Sequence, residues 1–417
     1  MKVLKIKGNE LLNGTIRISG AKNSAVALIP GALLGDGKIT LCNVPNILDI
    51  DALEETLKYL NVKVKRASES MIIDTKTLEN KPIPYELSSR LRASYYFMAV
   101  LLAKFHYMEM SFPGGCTIGK RPIDQTLKAF KAFGAEVIEE ETKFIIKAEK
   151  LVGANIELAM PSVGATINSI LVGVLASGRT VIKNVAKEPE IIDLCDMLRK
   201  MGAKIDGDGT SVISITGVTN LSGCNHDIIP DRIEAGTYTI IGALMGSHLK
   251  IDNIIPNHIK SLTDTLEKMG CNIEIYNDYL IVDNQNSLKK INIKTDYYPG
   301  FPTDLQQPFT TLLTQCDGIS HIEENIWENR FMNIPYLNKM GASIEIEGNK
   351  CIVKGKTKLK GSIVVATDLR AGASLLVAGL IAEGETTIKE INHLLRGYEE
   401  IVEKLTNVGA KIEIKEI

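Results

Sequence analysis

The sequence predicts an α/β protein built from six copies of one unit that mixes two helices with several short strands. The strongest observation is a phrase that recurs along the 417 residues: the apolar end of a helix, a glycine, a small residue and an alternating strand. Its glycines are Gly134, Gly202, Gly270, Gly341 and Gly409, so the copies are 68 to 71 residues apart. A repeat period of this size indicates a repeat architecture.

The glycine marks the end of a helix in each copy. Glycine readily adopts the left-handed conformation that terminates a helix, and Asn61 takes this position in a weaker first copy at residues 57–62. The residues that follow alternate in hydrophobicity and turn back, as at 343–353, which predicts a β-hairpin. A strand, a helix and another strand complete the unit, as at 363–389.

The two ends of the chain are predicted to form one repeat, because the N-terminal residues continue the repeat pattern at the point where the C-terminal residues break it off. The sixth copy stops after its first strand at residues 411–414, whereas residues 3–19 resemble the missing half of that hairpin and the strand after it. We therefore expect the N-terminal strands to complete the last repeat. A linear solenoid is the alternative, but the complementary ends and the lack of capping repeats favour closed, pseudo-symmetric packing.

Composition and charge exclude several classes of function. A net charge of −2 and a pI of about 6.4 argue against nucleic-acid binding by bulk charge. Apolar runs are too short to span a bilayer, and the N-terminus lacks a signal-peptide core. The seven cysteines and six histidines are irregularly spaced, which predicts neither a disulfide framework nor a metal site. We expect a soluble, cytoplasmic protein without metal, cofactor, membrane or nucleic acid; protein partners stay open.

Cations occur where helix dipoles disfavour them. Four stand at or beside the predicted start of a helix: Lys22, Arg92, Arg232 and Arg370. Positive charge there opposes the dipole, but it is favourable where an anion is bound together with the free N–H groups of the helix. Surface charge is the alternative for each residue taken singly, whereas the set favours an anion site. Three further arginines accompany the second helices of the units: Arg121, Arg330 and Arg396.

Residues 112–122 form a glycine-rich segment that contains Cys116. Gly114 to Lys120 fit the start of a GxxxxGK phosphate-binding motif, but Arg121 stands where that motif requires Ser or Thr. The repeats also do not describe the parallel α/β domain in which such motifs occur. We interpret the segment as a loop that presents a thiol beside cations. The other six cysteines are predicted to be structural.

At these residues the chain resembles, over its whole length, the UDP-N-acetylglucosamine 1-carboxyvinyltransferase family. The segments that carry the resemblance are Gly-Ala-Lys-Asn at 20–23, Arg-Ala-Ser at 92–94, Pro-Gly-Gly-Cys-Thr-Ile-Gly at 113–119, Arg-Pro-Ile-Asp at 121–124, Ser-Val-Gly-Ala-Thr at 162–166, Pro-Asp-Arg-Ile-Glu at 230–234, Pro-Thr-Asp at 302–304, Glu-Asn-Arg-Phe at 328–331, Asp-Leu-Arg-Ala at 368–371 and Arg-Gly-Tyr-Glu at 396–399. The resemblance implies an enolpyruvyl transferase-like fold of two inside-out α/β barrel lobes, each of three pseudo-symmetric repeats, with the active site between them. One lobe would be residues 22–229 and the other residues 1–21 plus 230–417.

The resemblance also implies the reaction and the residues that perform it. The enolpyruvyl group of phosphoenolpyruvate would pass to the 3-hydroxyl of UDP-N-acetylglucosamine with release of phosphate, the first committed step of peptidoglycan synthesis. The implied phosphoenolpyruvate ligands are Lys22, Asn23, Arg121, Arg370 and Arg396. The implied UDP-N-acetylglucosamine ligands are Asn23, Arg92, Arg121, Pro122, Ile123, Asp124, Gln125, Ser162, Val163, Gly164, Asp304 and Ile326. The implied catalytic residues are Cys116, Asp304, Lys22 and Arg396, with Cys116 protonating the vinyl carbon and Asp304 assisting removal of the sugar hydroxyl proton.

One departure and two rival functions accompany this resemblance. Family members often have Asp directly before Arg-Gly-Tyr, whereas Leu395 stands there in this chain, so this position supplies no carboxylate to orient Arg396. The nearest rival is the enolpyruvyl transferase of the shikimate pathway, against which the Pro-Gly-Gly-Cys loop and the segment at Ser162 argue. The other is a catalytically silent paralogue that senses the UDP-sugar, against which the intact Cys116 and Lys22 argue.

Overall fold

A computed structural model describes residues 2–114, 123–284 and 287–417, which divide into two units. Unit 1 comprises residues 2–19 and the described residues of 230–417, and unit 2 comprises the described residues of 20–229. Each unit has its own hydrophobic core. The predicted lobes, 22–229 and 1–21 plus 230–417, stay a prediction about domains; the units differ from them at Gly20 and Ala21, which lie in unit 2.

The helices of the described residues are interspersed among the strands in both units. Those of unit 2 are α1 Lys22–Gly31, α2 Leu48–Tyr59, α3 Tyr85–Ser88, α4 Tyr96–Phe105, α5 Asp124–Ala132, α6 Val163–Gly173 and α7 Pro189–Lys200. Those of unit 1 are α8 Arg232–Met245, α9 Lys260–Lys268, α10 Thr303–Leu313, α11 Ile334–Lys339, α12 Leu369–Ile381, α13 Asn392–Leu395 and α14 Ile401–Asn407. None of these helices has both the length and the apolar character that crossing a bilayer requires.

The strands are short. In chain order they are β1 Lys2–Lys7, β2 Leu12–Arg17, β3 Gly35–Asp36, β4 Lys38–Cys42, β5 Lys63–Ala67, β6 Ser70–Asp74, β7 Tyr107–Ser111, β8 Glu136–Glu139, β9 Lys143–Lys147, β10 Asn155–Glu157, β11 Arg179–Lys183, β12 Lys204–Asp206 and β13 Val212–Thr216. They continue with β14 Leu221–Ser222, β15 Asn225–Asp227, β16 Gly246–Asp252, β17 Asn272–Ile275, β18 Tyr279–Asp283, β19 Ile293–Lys294, β20 Gly318–Glu323, β21 Ile344–Glu347, β22 Lys350–Gly355, β23 Ile363–Val365, β24 Glu385–Lys389 and β25 Lys411–Glu416.

The strands form one sheet design repeatedly: a short strand runs parallel to a central strand, whose other neighbour is an antiparallel hairpin. In unit 1 the orders are β2-β16-β18-β17, β19-β20-β22-β21 and β23-β24-β1-β25. In unit 2 they are β15-β4-β6-β5, β10-β11-β13-β12 and β7-β9-β8, where a parallel bridge from Ile83 to Met110 replaces the fourth strand. The predicted α/β fold class is confirmed. Five of the sheets of the described residues are mixed, β7-β9-β8 is antiparallel, and β3 and β14 form a further two-stranded parallel sheet; none of these sheets closes into a barrel.

The N-terminal strand lies in the sheet position that the phase of the repeats predicts. Strand β1 is antiparallel to both β24 and β25, with Leu4 opposite Ile388 on one side and Ile414 on the other. It therefore stands in the place that β22 holds beside β20 and β21. Its side chains Leu4 and Ile6 are buried in the core of unit 1, so the pairing is fixed by apolar burial as well as by backbone hydrogen bonds.

The helix-ending glycines have the conformation that the repeat predicts. Their backbone φ angles lie between 91° and 108° at Gly134, Gly202, Gly270, Gly341 and Gly409, and φ is 60° at Asn61. After α5, for example, the amide of Gly134 donates to the carbonyl of Lys131 and that of Ala135 donates to Phe130. This is the hydrogen-bond pattern that closes a helix with a left-handed residue.

Helices fill the interior of each unit. In unit 1, α8, α10 and α12 bury most of their residues and pack against one another. In unit 2, α1, α4 and α6 are buried in the same way. A helix that is apolar on all sides is stable only when it is enclosed. The starts of these helices carry predicted site residues: Lys22 on α1, Val163 and Gly164 on α6, Asp304 on α10, and Arg370 on α12.

Candidate active site

The predicted site residues occur on both units, and three of them cannot be placed. Cys116, Arg121 and Pro122 lie outside the described residues. Unit 1 holds Asp304, Ile326, Arg370 and Arg396. Unit 2 holds Lys22, Asn23, Arg92, Ile123, Asp124, Gln125, Ser162, Val163 and Gly164.

In unit 1, Asp304 is bound by two arginines. Its Oδ1 accepts a hydrogen bond from Nη2 of Arg330 at 2.6 Å, and its Oδ2 accepts one from Nη2 of Arg370 at 2.8 Å. The arginine side chains are 3% and 8% exposed, whereas that of Asp304 is 24% exposed. The Nε of Arg330 is buried and has no hydrogen-bond partner in the described part of the chain. The three residues form a compact charged cluster at the start of α10 and α12.

The cluster fixes the charge of its members. Burial alone would raise the pKa of Asp304, but Arg370 and Arg330 outweigh it and hold that pKa well below its usual range. Burial opposes the charge of Arg370, yet Asp304 raises the pKa of this guanidinium above its ordinary value. A carboxylate with such a low pKa is a weak proton acceptor. Asp304 as arranged here is therefore an anion that holds arginines rather than a ready general base.

At two helix starts where the sequence predicted a bound anion, a carboxylate of the protein itself accepts hydrogen bonds from the free backbone amides. Asp368 caps α12, where its Oδ1 accepts from the backbone amides of Arg370 at 2.8 Å and Ala371 at 3.1 Å. Asp231 caps α8 in the same manner. The guanidinium of Arg232 lies 5.5 Å from the centre of the Tyr298 ring, within cation–π range.

Glu324 connects the turn at Ile326 with the start of α10. Its Oε1 accepts from the amides of Ile326 at 2.8 Å and Trp327 at 3.1 Å, while its Oε2 accepts from Oγ1 of Thr303 at 2.9 Å. Thr303 directly precedes Asp304. The structure thus brings Ile326 and Asp304 together through a buried glutamate that the sequence reasoning missed, because no local pattern distinguishes Glu324 from its neighbours.

Arg396 follows α13 and is half-buried. Leu395, which stands where family members often have Asp, packs against the hydrophobic core of unit 1. An apolar contact therefore replaces the carboxylate at this position. Two residues further along, Tyr398 is buried within unit 1.

In unit 2, Lys22 and Asn23 begin α1, and acidic residues from two neighbouring helices meet them. The Nζ of Lys22 lies 2.7 Å from Oδ2 of Asp49, a buried residue in the first turn of α2. The Nδ2 of Asn23 donates to Oε1 of Glu190, in the first turn of α7, at 3.4 Å. The sequence did not indicate Asp49 or Glu190, because each is separated from its partner by an intervening element or more.

Tyr95 brings two predicted sugar-binding segments together. Tyr95 is the last residue of the 3-10 turn Arg92–Tyr95. Burial lowers the pKa of Arg92 in this turn, and the electrostatic interaction with Tyr95 partly offsets that decrease. On α6, Ser162 caps the helix by accepting from the amide of Ala165 at 3.3 Å. A Cβ on Gly164 would lie 1.6 Å from the hydroxyl oxygen of Tyr95, so only glycine permits this approach.

The segment Ile123 to Gln125 opens α5. Ile123 packs against the core of unit 2, and Asp124 is exposed. The Oε1 of Gln125 accepts from the amide of Ala159 at 2.8 Å, three residues before Ser162. This bond brings the start of α5 close to the chain that leads into α6.

Comparisons with known proteins give the family. The sequence profile of the EPSP synthase (3-phosphoshikimate 1-carboxyvinyltransferase) family matches residues 6–405. The crystal structure of the enolpyruvyl transferase NikO from Streptomyces tendae superposes with a TM-score of 0.91 at 25% identity, covering 99% of both chains. EPSP synthase from Acinetobacter baumannii has the same fold, with a TM-score of 0.76 at 18% identity over the full length of both chains.

Curated relatives share a higher sequence identity with this chain than these solved structures do. UDP-N-acetylglucosamine 1-carboxyvinyltransferase 2 from Bacillus subtilis (strain 168) is 50% identical over 413 residues, which cover 99% of this chain and 96% of that protein. The chain belongs to the UDP-N-acetylglucosamine 1-carboxyvinyltransferase family. The protein of the same name from Shouchella clausii is 50% identical over 417 residues, covering 100% of this chain and 97% of that relative. The family predicted from the motifs is thus confirmed, while the role of each residue in this family member stays a prediction.

Proposed function

We propose that the chain transfers the enolpyruvyl group of phosphoenolpyruvate to the 3-hydroxyl of UDP-N-acetylglucosamine and releases phosphate. The observation that carries this function is the 50% identity, over nearly the whole chain, with UDP-N-acetylglucosamine 1-carboxyvinyltransferase 2 of Bacillus subtilis. The buried cluster of Asp304 with two arginines supports it, because a dianionic phosphate and a carboxylate both need cationic partners. The reaction is the first committed step of peptidoglycan synthesis, and we expect it in the cytoplasm.

The chemistry is an addition followed by an elimination. The sugar oxygen forms a bond to C2 of phosphoenolpyruvate, a proton is added at C3, and the hydroxyl proton leaves with a base. The C2–O bond to phosphate then breaks while C3 loses a proton, which restores the double bond. We assign the proton donor to Cys116 and the anion contacts to Lys22, Arg121, Arg370 and Arg396.

Asp304 has a substrate-dependent role in this proposal. With both its oxygens on arginines it is a weak base. When the anionic groups of phosphoenolpyruvate engage Arg370, that guanidinium is shared, and the pKa of Asp304 moves back toward its ordinary range. The carboxylate then accepts a hydrogen bond or the proton from the sugar hydroxyl. Binding of phosphoenolpyruvate thus prepares Asp304 to act as a base toward the sugar hydroxyl.

The UDP-sugar contacts are assigned to residues on both units. On unit 2 these are Asn23, Arg92, Ile123, Asp124, Gln125, Ser162, Val163 and Gly164, with Arg121 and Pro122 beside them in sequence. On unit 1 they are Asp304 and Ile326. The hydrogen bonds that tie Ile326 to Asp304 through Glu324, and Gln125 to Ala159, support the grouping within each unit.

A phosphate-release assay with different acceptors tests the function. The purified protein is incubated with phosphoenolpyruvate and UDP-N-acetylglucosamine, with shikimate 3-phosphate, or with no acceptor, all without added metal. We expect phosphate only with the nucleotide sugar. Faster release with shikimate 3-phosphate would favour the shikimate-pathway reaction, and binding of the nucleotide sugar without phosphate release would favour a silent sensor.

A further inference from the structure

Unit 1 contains a buried glutamate, Glu324, that no step of the proposed reaction uses. It is 3% exposed and directly follows strand β20. Its Oε1 accepts hydrogen bonds from the backbone amides of Ile326 at 2.8 Å and Trp327 at 3.1 Å, and its Oε2 accepts one from Oγ1 of Thr303 at 2.9 Å. One carboxylate therefore joins a turn of the chain to the first residue of α10.

The backbone that carries this carboxylate is itself fixed. The amide of Glu324 donates to the carbonyl of Asn349 at 2.8 Å, in the turn between β21 and β22, and Nδ2 of Asn349 donates back to the carbonyl of Glu324 at 3.3 Å. The amide of the next residue, Asn325, donates to Oγ1 of Thr295 at 2.9 Å. A side chain that projects from a backbone held on both sides can position its partners accurately.

The start of α10 differs from the starts of α8 and α12, which pack against it. Those two helices follow Asp231 and Asp368, whose own side chains accept from the first amides. Helix α10 follows Pro302, whose side chain carries no hydrogen-bond acceptor. The carboxylate of Glu324 lies at its first residue instead, where negative charge is favourable. Glu324 therefore fixes the turn of α10 that carries Asp304.

We propose that Glu324 is a positioning residue for UDP-N-acetylglucosamine, which holds the turn at Ile326 in a fixed place relative to Asp304. This rests on the proposed function, in which Ile326 and Asp304 are the contacts of unit 1 with the nucleotide sugar. The role is indirect, because the three hydrogen bonds of the carboxylate go to the protein. A surface that is ordered before its ligand arrives binds that ligand at a lower entropic cost.

A purely structural role of Glu324 would have a different signature. It would lower the melting temperature and the fraction of active protein, but it would leave KM unchanged, because KM does not depend on the enzyme concentration. A positioning role raises the KM for UDP-N-acetylglucosamine. It leaves the KM for phosphoenolpyruvate nearly constant, because the contacts with that substrate are assigned to other residues.

Three variants separate these roles. Glu324→Ala removes all three hydrogen bonds. Glu324→Gln removes the charge, but its amide oxygen can still accept from the amides of the turn and its NH2 group can donate to Oγ1 of Thr303. Glu323→Ala is the matched control, because it removes the glutamate one residue earlier, whose Oε2 lies 3.5 Å from Nζ of Lys350.

Steady-state kinetics of these variants test the proposal. We expect Glu324→Ala to raise the KM for UDP-N-acetylglucosamine about tenfold, as when a turn and its side chains must be ordered on binding. Glu324→Gln should largely restore the wild-type KM, and Glu323→Ala should match the wild type. Thr303→Val, which breaks only the contact with α10, should raise the same KM by a smaller factor, and it serves as the test if Glu324→Ala does not fold. An unchanged KM for the nucleotide sugar, or an equal rise in both KM values, would overturn the positioning role.

Trp327 gives a second readout that does not depend on activity. It is the one tryptophan of the chain, and it lies in the turn that Glu324 holds. Time-resolved fluorescence anisotropy of the substrate-free protein measures its local motion. We expect a larger amplitude of nanosecond motion in Glu324→Ala than in the wild type, Glu324→Gln and Glu323→Ala. Equal anisotropy decays in Glu324→Ala and the wild type would show that the turn is held without Glu324 and would overturn the proposal.

Failure of the proposed function would be visible in the wild type, whereas failure of this inference would be visible in the comparison of variants. If the wild type binds UDP-N-acetylglucosamine without releasing phosphate, the proposed transfer fails. Titration calorimetry with the nucleotide sugar then replaces the kinetics. A dissociation constant about tenfold higher in Glu324→Ala than in the wild type would support the role of Glu324, and equal constants would overturn it.

Discussion

At the residue scale, buried carboxylates of the protein determine how strongly the cations at the helix starts can bind a substrate anion. Lys22 is held by Asp49 and Arg370 by Asp304, so the cations that the sequence placed at helix starts are partly neutralised by the protein itself. A substrate anion must therefore compete with these carboxylates. The Lys22 ion pair lends itself to a direct test.

Lys22→Ala should lower kcat/KM by about 100-fold, the scale of losing one preorganised charge that stabilises the transition state. It should also lower the free energy of unfolding, because it leaves Asp49, which is 2% exposed, without this cation. Adding Asp49→Asn should recover the stability but not the activity. Chemical denaturation and steady-state kinetics of the single and double variants check both parts, and recovery of activity in the double variant would contradict the role of Lys22.

Glu234 gives the stability a characteristic pH dependence. Its carboxylate accepts from Nζ of Lys404 at 2.7 Å and from the amide of Ser19 at 2.8 Å, and burial raises its pKa from 4.5 to about 7 despite the opposing effect of Lys404. The folded state therefore binds this proton more tightly than the unfolded state. The resulting stabilisation is fully present below about pH 4.5 and is lost as the pH rises through 7.

The measurement is the difference in unfolding free energy between the wild type and Glu234→Gln across this range. We expect the wild-type advantage to decrease by about 3 kcal/mol from pH 4.5 to pH 8. Glu403→Gln, an exposed change beside Lys404, is the control for losing one carboxylate. A difference that increases with pH would show that the ion pair with Lys404 dominates over burial.

Cys116 lies outside the described residues, and its role rests on sequence. We expect Cys116→Asp to retain phosphate release, because a carboxylic acid can also donate a proton to carbon. The variant should resist alkylation by fosfomycin, an epoxide phosphonate, whereas Cys224→Ser should remain sensitive. Burial raises the pKa of Cys271, Cys316 and Cys351 to about 12, which disfavours their thiolates. Mass spectrometry that locates the adduct on another cysteine, with turnover abolished, would overturn the assignment.

At the scale of elements, local chemistry in the sequence predicts most of the repeat. The left-handed residues after the helices and the hairpins that follow depend on neighbouring residues, so the hairpin β21–β22 and the strands β23 and β24 lie where the pattern predicts. The reduced sheet of β7, β8 and β9 was not predicted. In that sheet the parallel fourth strand is reduced to a single bridge at Ile83. The length of such a strand depends on tertiary packing rather than on the local sequence pattern.

Strand β1 makes the pairing of the chain ends testable. Ile6 is fully buried between β24 and β25, so Ile6→Ala should lower the stability of unit 1 by about 3 kcal/mol through the cavity it leaves. Hydrogen exchange should quicken in β24 and β25 and stay unchanged in β4 and β6 of unit 2. Lys7→Ala, at an exposed position of the same strand, is the control. Equal loss of protection in both units would contradict the pairing.

At the scale of the whole molecule, motifs gave the family but not the contacts that hold the site residues. Asp304 and Arg370 are 66 residues apart, and Asn23 and Glu190 are 167 residues apart. Such pairs leave no periodic signal, because each partner follows the pattern of its own repeat. The sequence could therefore identify Asp304 and Arg370 as site residues and still miss that they are bound to each other.

Product identification tests the proposed transfer most directly. The purified protein is incubated with carbon-13-labelled phosphoenolpyruvate and UDP-N-acetylglucosamine, and the products are analysed by NMR. We predict equal amounts of phosphate and of a vinyl ether whose labelled C2 is bonded to O3 of the sugar. Phosphate formed without this ether, or an ether at another hydroxyl, would contradict the proposed function.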